Sequence, residues 1–222
     1  MTLVDGESEY RPPHFHTLIE IEYRIMKLCI VITNELLPRF FKLLEQGFFV
    51  TTTTGCSIKD LLCKQLNIDE EYLDKRIQTL FLDGKPVDKV EKAYLYNDAT
   101  LALSGAMPGL VGATLRKGGT FADMRNTISY KAEASVNGDG EARVKLKLFN
   151  MVLKELGPAF LESGIWIHSH NFSDFISRNI EDLKPACDSV DLNDQKMDVA
   201  ALAGMNWDDT ELFLKVTSEE TG

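Results

Sequence analysis

The feature that most constrains this fold is a run of four threonines behind two phenylalanines and a valine, at 48–54. β-Branched and aromatic residues in this density suit a strand far better than a helix. Gly55 then supplies a turn, and Ser57, or Cys56 before it, can cap a helix over 58–65. The run therefore predicts a strand that turns directly into a capped helix.

The chain returns to strand patterns after this helix. Alternating residues predict strands within 77–87, where Asp83-Gly84 marks a tight turn, and at 100–103. Repeated glycines and a proline then interrupt 104–119. That segment is expected to be a loop or an extended arm, and it is the best candidate for a linker.

The residues before the threonine run divide into three parts. Residues 1–21 are predicted to be a flexible arm or the lead-in to a first strand. Apolar and charged residues alternate from 18 onward, which favours a strand through 32, although Thr17 and Glu20 could instead form the capping box of a helix. A short helix or structured loop is expected over 36–46.

A second unit is predicted at 126–217. A strand near 128–136 and a returning strand at 144–148 flank the hairpin turn of 137–140. The pattern then predicts a helix at 151–161, a strand at 165–167, a helix at 172–180 and a strand at 211–216.

The two units echo each other weakly. Lys27 precedes Gly47 by nearly the same distance as Lys145 precedes Gly164, and each interval contains Glu-Leu-x-Pro-x-Phe. Two related units and a chance similarity both explain this echo.

Several motifs resemble known small proteins. Met26-Lys27-Leu28 followed by the Gly-x-Ser-Ile-x-Asp-Leu-Leu run of 55–62 resembles the molybdopterin-synthase small subunit and the thiazole-pathway sulfur carrier. The segments 80–87 and 99–103 look like the later strands of ubiquitin, and Leu115-Arg116-Lys117-Gly118-Gly119 looks like its exit. The resemblance implies an α+β fold, with a β-grasp (ubiquitin-like) domain at 22–119 and a smaller mixed α/β domain at 126–217.

The same resemblance implies a chemistry at Gly118 and Gly119. In that family an adenylating enzyme activates the carboxylate of a free C-terminal glycine, and glycines without a Cβ let the arm thread a narrow tunnel. Here the chain continues beyond Gly119. Gly118-Gly119 is therefore a carrier arm only if processing exposes it, and otherwise a hinge.

Composition limits the partners. The net charge of −10 at pH 7 argues against nucleic acid and against an anionic membrane surface. The residues at 1–11 are polar and acidic and show no signal-peptide pattern. The four cysteines form no CxxC pair, so a reducing, cytoplasmic setting is expected, with a protein as the partner.

Other candidate sites are sparse. Cys56, at a predicted helix N-terminus, is a possible reactive thiol. His168 and His170 could supply two metal ligands from one side of a strand, as could His14 and His16, and surface histidines are the simpler interpretation of both pairs. No phosphate-binding loop, nucleophile elbow or HExxH motif is present, so no cofactor is predicted.

Three functions remain open at this stage. The first is a ubiquitin-like or sulfur-carrier-like protein that acts by protein contact, with an adenylating enzyme as one candidate partner. The second is a two-domain interaction or scaffold module without covalent chemistry. The third is an enzyme whose site lies between the two domains.

Overall fold

The protein has an α+β fold built on one mixed sheet. The computed structural model describes residues 26–125, 128–131, 140–207 and 210–219. Ten strands are joined in this sheet: β1 (Met26–Thr33), β2 (Phe48–Thr53), β3 (Thr79–Leu82), β4 (Lys85–Pro86), β5 (Thr100–Ser104), β6 (Glu141–Phe149), β7 (Ile165–His168), β8 (Cys187–Leu192), β9 (Gln195–Met197) and β10 (Glu211–Glu219).

Helices connect most of these strands. The α-helices are α1 (Leu37–Gln46), α2 (Glu70–Lys75), α3 (Gly109–Leu115), α4 (Asn150–Ser163) and α5 (Ser169–Leu183). Short 3-10 helices occur at Asn34–Leu36, Ala122–Arg125, Lys184–Ala186 and Val199–Gly204. Asp60–Gln65 winds as a π-helix.

The strand order interleaves the two predicted units. The sheet runs β4-β3-β5-β6-β2-β7-β10-β1-β8-β9, with β5 parallel to β6, β1 parallel to β10 and the other pairs antiparallel. Strand β6 thus lies between two strands of the 22–119 segment, and β1 lies between two strands of the 126–217 segment. The division into two domains stays a prediction. If it holds, each domain contains one strand from the other segment of the chain.

The core lies on one face of the sheet. Alternate residues of the central strands are buried, as in β6, where Ala142, Val144, Leu146 and Leu148 have no exposed surface. They join one hydrophobic cluster with the buried residues of α1, α4 and α5. Helices α1 and α4 touch closely at Gly157, where an added Cβ would stand 3.1 Å from Leu44 and from Phe41. The long helices therefore share one side of the sheet.

The weak sequence echo coincides with a structural one. Both β1–α1–β2 and β6–α4–β7 are strand–helix–strand units whose second strand follows a glycine with positive φ, Gly47 at 111° and Gly164 at 94°. Two residues after these glycines come Phe49 and Trp166, which pair directly across the junction of β2 and β7. The echo thus maps onto equivalent places in the sheet.

Several predicted elements are confirmed with small shifts. Helix α1, strands β2 and β5, and the order of elements from β6 to α5 all occur where the patterns place them. Strand β1 confirms the predicted first strand from residue 26 onward, and its predicted start at 18–25 lies outside the described residues. The Asp83-Gly84 turn is a hairpin turn with φ of 48° and 76°, so both residues adopt the left-handed backbone conformation.

Other predictions need correction. The glycine-rich segment 104–119 contains helix α3 rather than only a loop, and residues 128–131 are not a strand. Helix α2 and strands β8 and β9 had no prediction. The predicted arm at 1–21, most of the hairpin turn at 137–140 and the pair His14 and His16 lie outside the described residues.

Candidate functional site

Gly118 and Gly119 form part of a hydrogen-bonded turn. Gly118 has φ of 59°, and its N–H donates to Asp88 Oδ1 at 3.0 Å. The N–H of Gly119 donates to Arg116 O at 3.1 Å, and its carbonyl accepts from Ala122 N at 2.9 Å. The preceding Lys117 is fixed by N–H donation to Gln78 O at 2.7 Å. In this structure the pair is a folded turn and not an extended arm.

A buried arginine holds this turn in place. The side chain of Arg125 is 3% exposed, and its two terminal nitrogens donate to the carboxylate of Asp88 at 2.7 and 3.1 Å. Its Nε donates to Thr114 O at 2.6 Å, and the guanidinium also reaches Arg116 O and Ser129 Oγ. A planar fork of five donors suits this convergence of acceptors, which lysine could not match.

The segment so fixed projects apolar side chains into solvent. Leu110 and Val111 of α3 are 71% and 70% exposed, and Met124 is 75% exposed. The backbone beneath them is tightly built, because a Cβ on Gly112 would stand 2.0 Å from Met107 O. Contiguous exposed apolar groups on a fixed backbone are typical of an interaction site rather than of a random surface.

The surroundings of this projection are basic. Residues 105–131 carry four lysines and arginines and one aspartate, whereas the whole chain has a net charge of −10. A cleft of about 380 Å³ lies alongside, lined by Val87, Asp88, Lys89, Lys92, Ser129, Tyr130 and Lys131. We call residues 105–125 with this cleft the α3 projection.

Cys56 lies where the sequence placed it, just ahead of the helical turn. Its half-buried thiol is free and contacts Ser57 O at 3.4 Å and Gln65 Nε2 at 3.5 Å. The cap itself is Ser57, whose Oγ accepts from Asp60 N at 3.0 Å and donates to the Asp60 carboxylate at 2.8 Å. The Lys64 ammonium and the Ser57 hydroxyl hold the pKa of Asp60 below its usual value. A reactive thiol at Cys56 stays a prediction.

His168 and His170 come together, but not through a shared strand. His168 ends β7, and His170 lies in the first turn of α5. Their rings stack 5.3 Å apart at 15°, and Phe49 packs edge-on against His168 at 4.8 Å. No group of three or more His, Cys, Asp or Glu side chains among the described residues could hold a metal. The metal role of this pair stays a prediction without a third ligand.

The residues that shape the α3 projection escaped sequence reasoning. Asp88 and Arg125 are far apart in the chain, and no local pattern pairs them. The sequence also did not predict that Leu110 and Val111 are exposed, because apolar residues beside glycines occur in buried loops as well as in exposed ones. The one available signal was the local excess of basic residues in an acidic chain.

Comparisons with known proteins add no family. No family model matches the chain, and neither a curated protein nor a solved structure matches it. Within the part of the chain that the structure describes, no helix is both long and apolar enough to cross a membrane.

Proposed function

We propose that this protein is an interaction module that binds a protein partner non-covalently through the α3 projection. The observation that carries the proposal is the exposure of Leu110 and Val111 on a backbone fixed by the buried Arg125. A fixed backbone loses little freedom on binding, so more of the burial of its apolar side chains appears as affinity.

The chemistry of the surface specifies the partner. Aliphatic side chains at the centre need an apolar groove, and the basic residues around them, such as Arg116 and Lys131, favour a groove with an acidic rim. The partner we expect is therefore a protein with an apolar groove bordered by Asp and Glu.

A β-grasp unit within the sheet is the finer part of this proposal. Its support is the order of β2, the capped turn, the helical segment, β3, β4 and β5, which is the order the resemblance implied. Strand β6, from outside 22–119, fills the space between β5 and β2. The unit would thus borrow one strand from the second half of the chain.

The non-covalent form of the proposal rests on the glycine pair. Gly118 and Gly119 are tied into a turn by Asp88 and Arg116, and the chain continues into β6. A carrier mechanism would require cleavage after Gly119 and release of this turn. The intact mass of protein from its own cells separates the two forms: the full-length mass supports docking alone, and a species ending at Gly119 supports a carrier.

Photo-crosslinking tests the docking surface. A photoreactive phenylalanine replaces Leu110 in cells that produce the protein, and Met151 on α4, 48% exposed, receives it as the control. We expect a discrete adduct at position 110 whose yield falls with Arg116→Glu. Equal labelling at both positions, or no discrete adduct at position 110, would refute the proposal.

A further inference from the structure

The sheet face opposite the long helices carries an unusual set of side chains. Strand residues alternate between faces, so Phe49, Trp166 and Phe213 point away from the core that their neighbours Phe48, Ile165 and Leu212 join. These three aromatic side chains are half-buried, although no helix of the main cluster covers them among the described residues.

Strand register puts these rings into one row. Lys145 of β6 pairs with Phe49 of β2, which pairs with Trp166 of β7, which pairs with Phe213 of β10. Phe213 pairs in turn with Lys27 of β1. The row crosses five adjacent strands and so extends roughly 19 Å between its two lysines. Three adjacent rings are thus flanked by a cation at each end.

Ring and cation contacts hold the side chains of this row in place. The rings of Trp166 and Phe213 are 5.1 Å apart, and Phe213 lies over Gly164, where a Cβ would stand 2.2 Å from the ring. Arg143 stacks on Phe49 with its guanidinium carbon 3.9 Å from the ring centroid, and it also pairs with Glu211. The rings lie close over the sheet, with the cations beside them.

Basic residues concentrate around the row. On β6, Lys145 and Lys147 project to the same face, and burial together with the Lys147 ammonium lowers the pKa of Lys145. Lys215 of β10 lies on this face as well. Lys27 has an exposed partner, Asp194, at 3.8 Å, which is a weak pair that an anion can displace. A bound anion would relieve the repulsion between Lys145 and Lys147.

We propose that this row binds single-stranded nucleic acid, with bases stacked on Trp166, on Phe213 and on the Arg143 guanidinium that covers Phe49, and with phosphates held by the flanking lysines. Aromatic platforms beside a basic track bind single strands with little sequence preference, because every base presents a π-face. The net charge of −10 predicted no such partner, but it averages over the whole chain and does not show that Arg143, Lys147 and Lys215 lie beside this row. The same face also carries acidic residues, Glu141, Asp191 and Glu211. The acidic remainder implies weak, strongly salt-dependent binding.

Tryptophan fluorescence offers a site-specific test. The chain has two tryptophans, and Trp207 is held elsewhere, against Phe172 with its Nε1 donating to Leu202 O at 3.1 Å. Full-length protein with Trp207→Phe therefore reports on Trp166 alone. It is titrated with a single-stranded RNA of about 12 nucleotides at about 50 mM salt. Lys145→Ala is the test variant, and Lys154→Ala, an exposed lysine on α4, is the matched control.

We expect saturable quenching that weakens at least about fivefold in Lys145→Ala and stays unchanged in Lys154→Ala. Adenosine monophosphate or polyglutamate, used in place of the RNA, should quench the fluorescence far less. Absence of quenching overturns the proposal. Equal effects of both lysine variants, equal quenching by polyglutamate, or binding of the mononucleotide as tightly as the strand would also overturn it.

Discussion

Replacing Arg125 by methionine should destabilise the protein strongly, because the guanidinium satisfies several acceptors at once. Its loss leaves the Asp88 carboxylate with the N–H of Gly118 but without its cation, and it removes donors from the carbonyls of Thr114 and Arg116. Removing one member of a buried ion pair costs about 3–5 kcal/mol. The side chain of Asp88 is 32% exposed and can be partly rehydrated, so we expect a loss of about 2–4 kcal/mol in the free energy of unfolding.

Urea denaturation and amide hydrogen exchange measure this loss together. The amides of Lys117 and Gly118, which donate to Gln78 O and Asp88, should lose protection in Arg125→Met, even if the segment detaches while the sheet stays folded. Arg116→Met removes the same charge from an exposed position, and we expect a change below about 0.5 kcal/mol.

A double-mutant cycle completes the test of the buried pair. Adding Asp88→Asn to Arg125→Met removes the stranded carboxylate, so the two losses should overlap by about 1 kcal/mol or more. Strict additivity would contradict the proposed pairing. Unchanged stability and protection in Arg125→Met would refute the view that this arginine fixes the α3 projection.

Three further predictions follow from single contacts and from the topology. Gly164→Ala should cost about 2–6 kcal/mol, because its φ of 94° is strained for other residues and its Cβ would clash with Phe213; a thermal shift near zero would contradict this. Arg76 holds the pKa of Glu155 below its usual value, so the stability difference between wild type and Glu155→Gln should be present at neutral pH and decline below about pH 4.3; a pH-independent difference in urea midpoint would contradict this. A chain divided after residue 125 should yield two pieces that fold only when mixed, since β6 lies between β5 and β2; a first piece with a cooperative unfolding transition of its own would instead support separate domains.

Local chemistry explains why much of the fold was predictable from the sequence. The β-branched run before Gly55, the Asp83-Gly84 turn and the apolar alternation in β6 act over a few residues, and each gave the observed element. The π-helical winding at Asp60–Gln65 was invisible, because the same apolar spacing fits an ordinary helix.

Long-range pairing explains what was missed. Nothing within 126–217 indicates that β6 inserts between two strands of the other half, since strand patterns encode burial and not neighbours. The candidate site could not be predicted from the sequence for the same reason. Arg125 and Asp88 are distant in sequence, and Phe49 and Trp166 become neighbours only through the register of the folded sheet. Net charge carries no spatial information, so the expectation that nucleic acid is not a partner stays a prediction.

The aromatic row lies at the centre of the sheet, where it also helps to hold β2 and β7 together. Strands β2 and β7 share one residue pair, Phe49 with Trp166, so few backbone hydrogen bonds join the two halves there. On the core side, α1 and α4 close the junction through the contact at Gly157, and on the open side Phe49 of β2 packs edge-on against His168 of β7, with ring centroids 4.8 Å apart. Truncating a ring would therefore weaken the junction together with the proposed binding surface. Truncating Lys145 removes its charge and its cation–π contact with Phe49 but spares the contacts between rings. Lys145→Ala is for this reason the variant that distinguishes a binding surface from a row of rings that only stabilises the sheet.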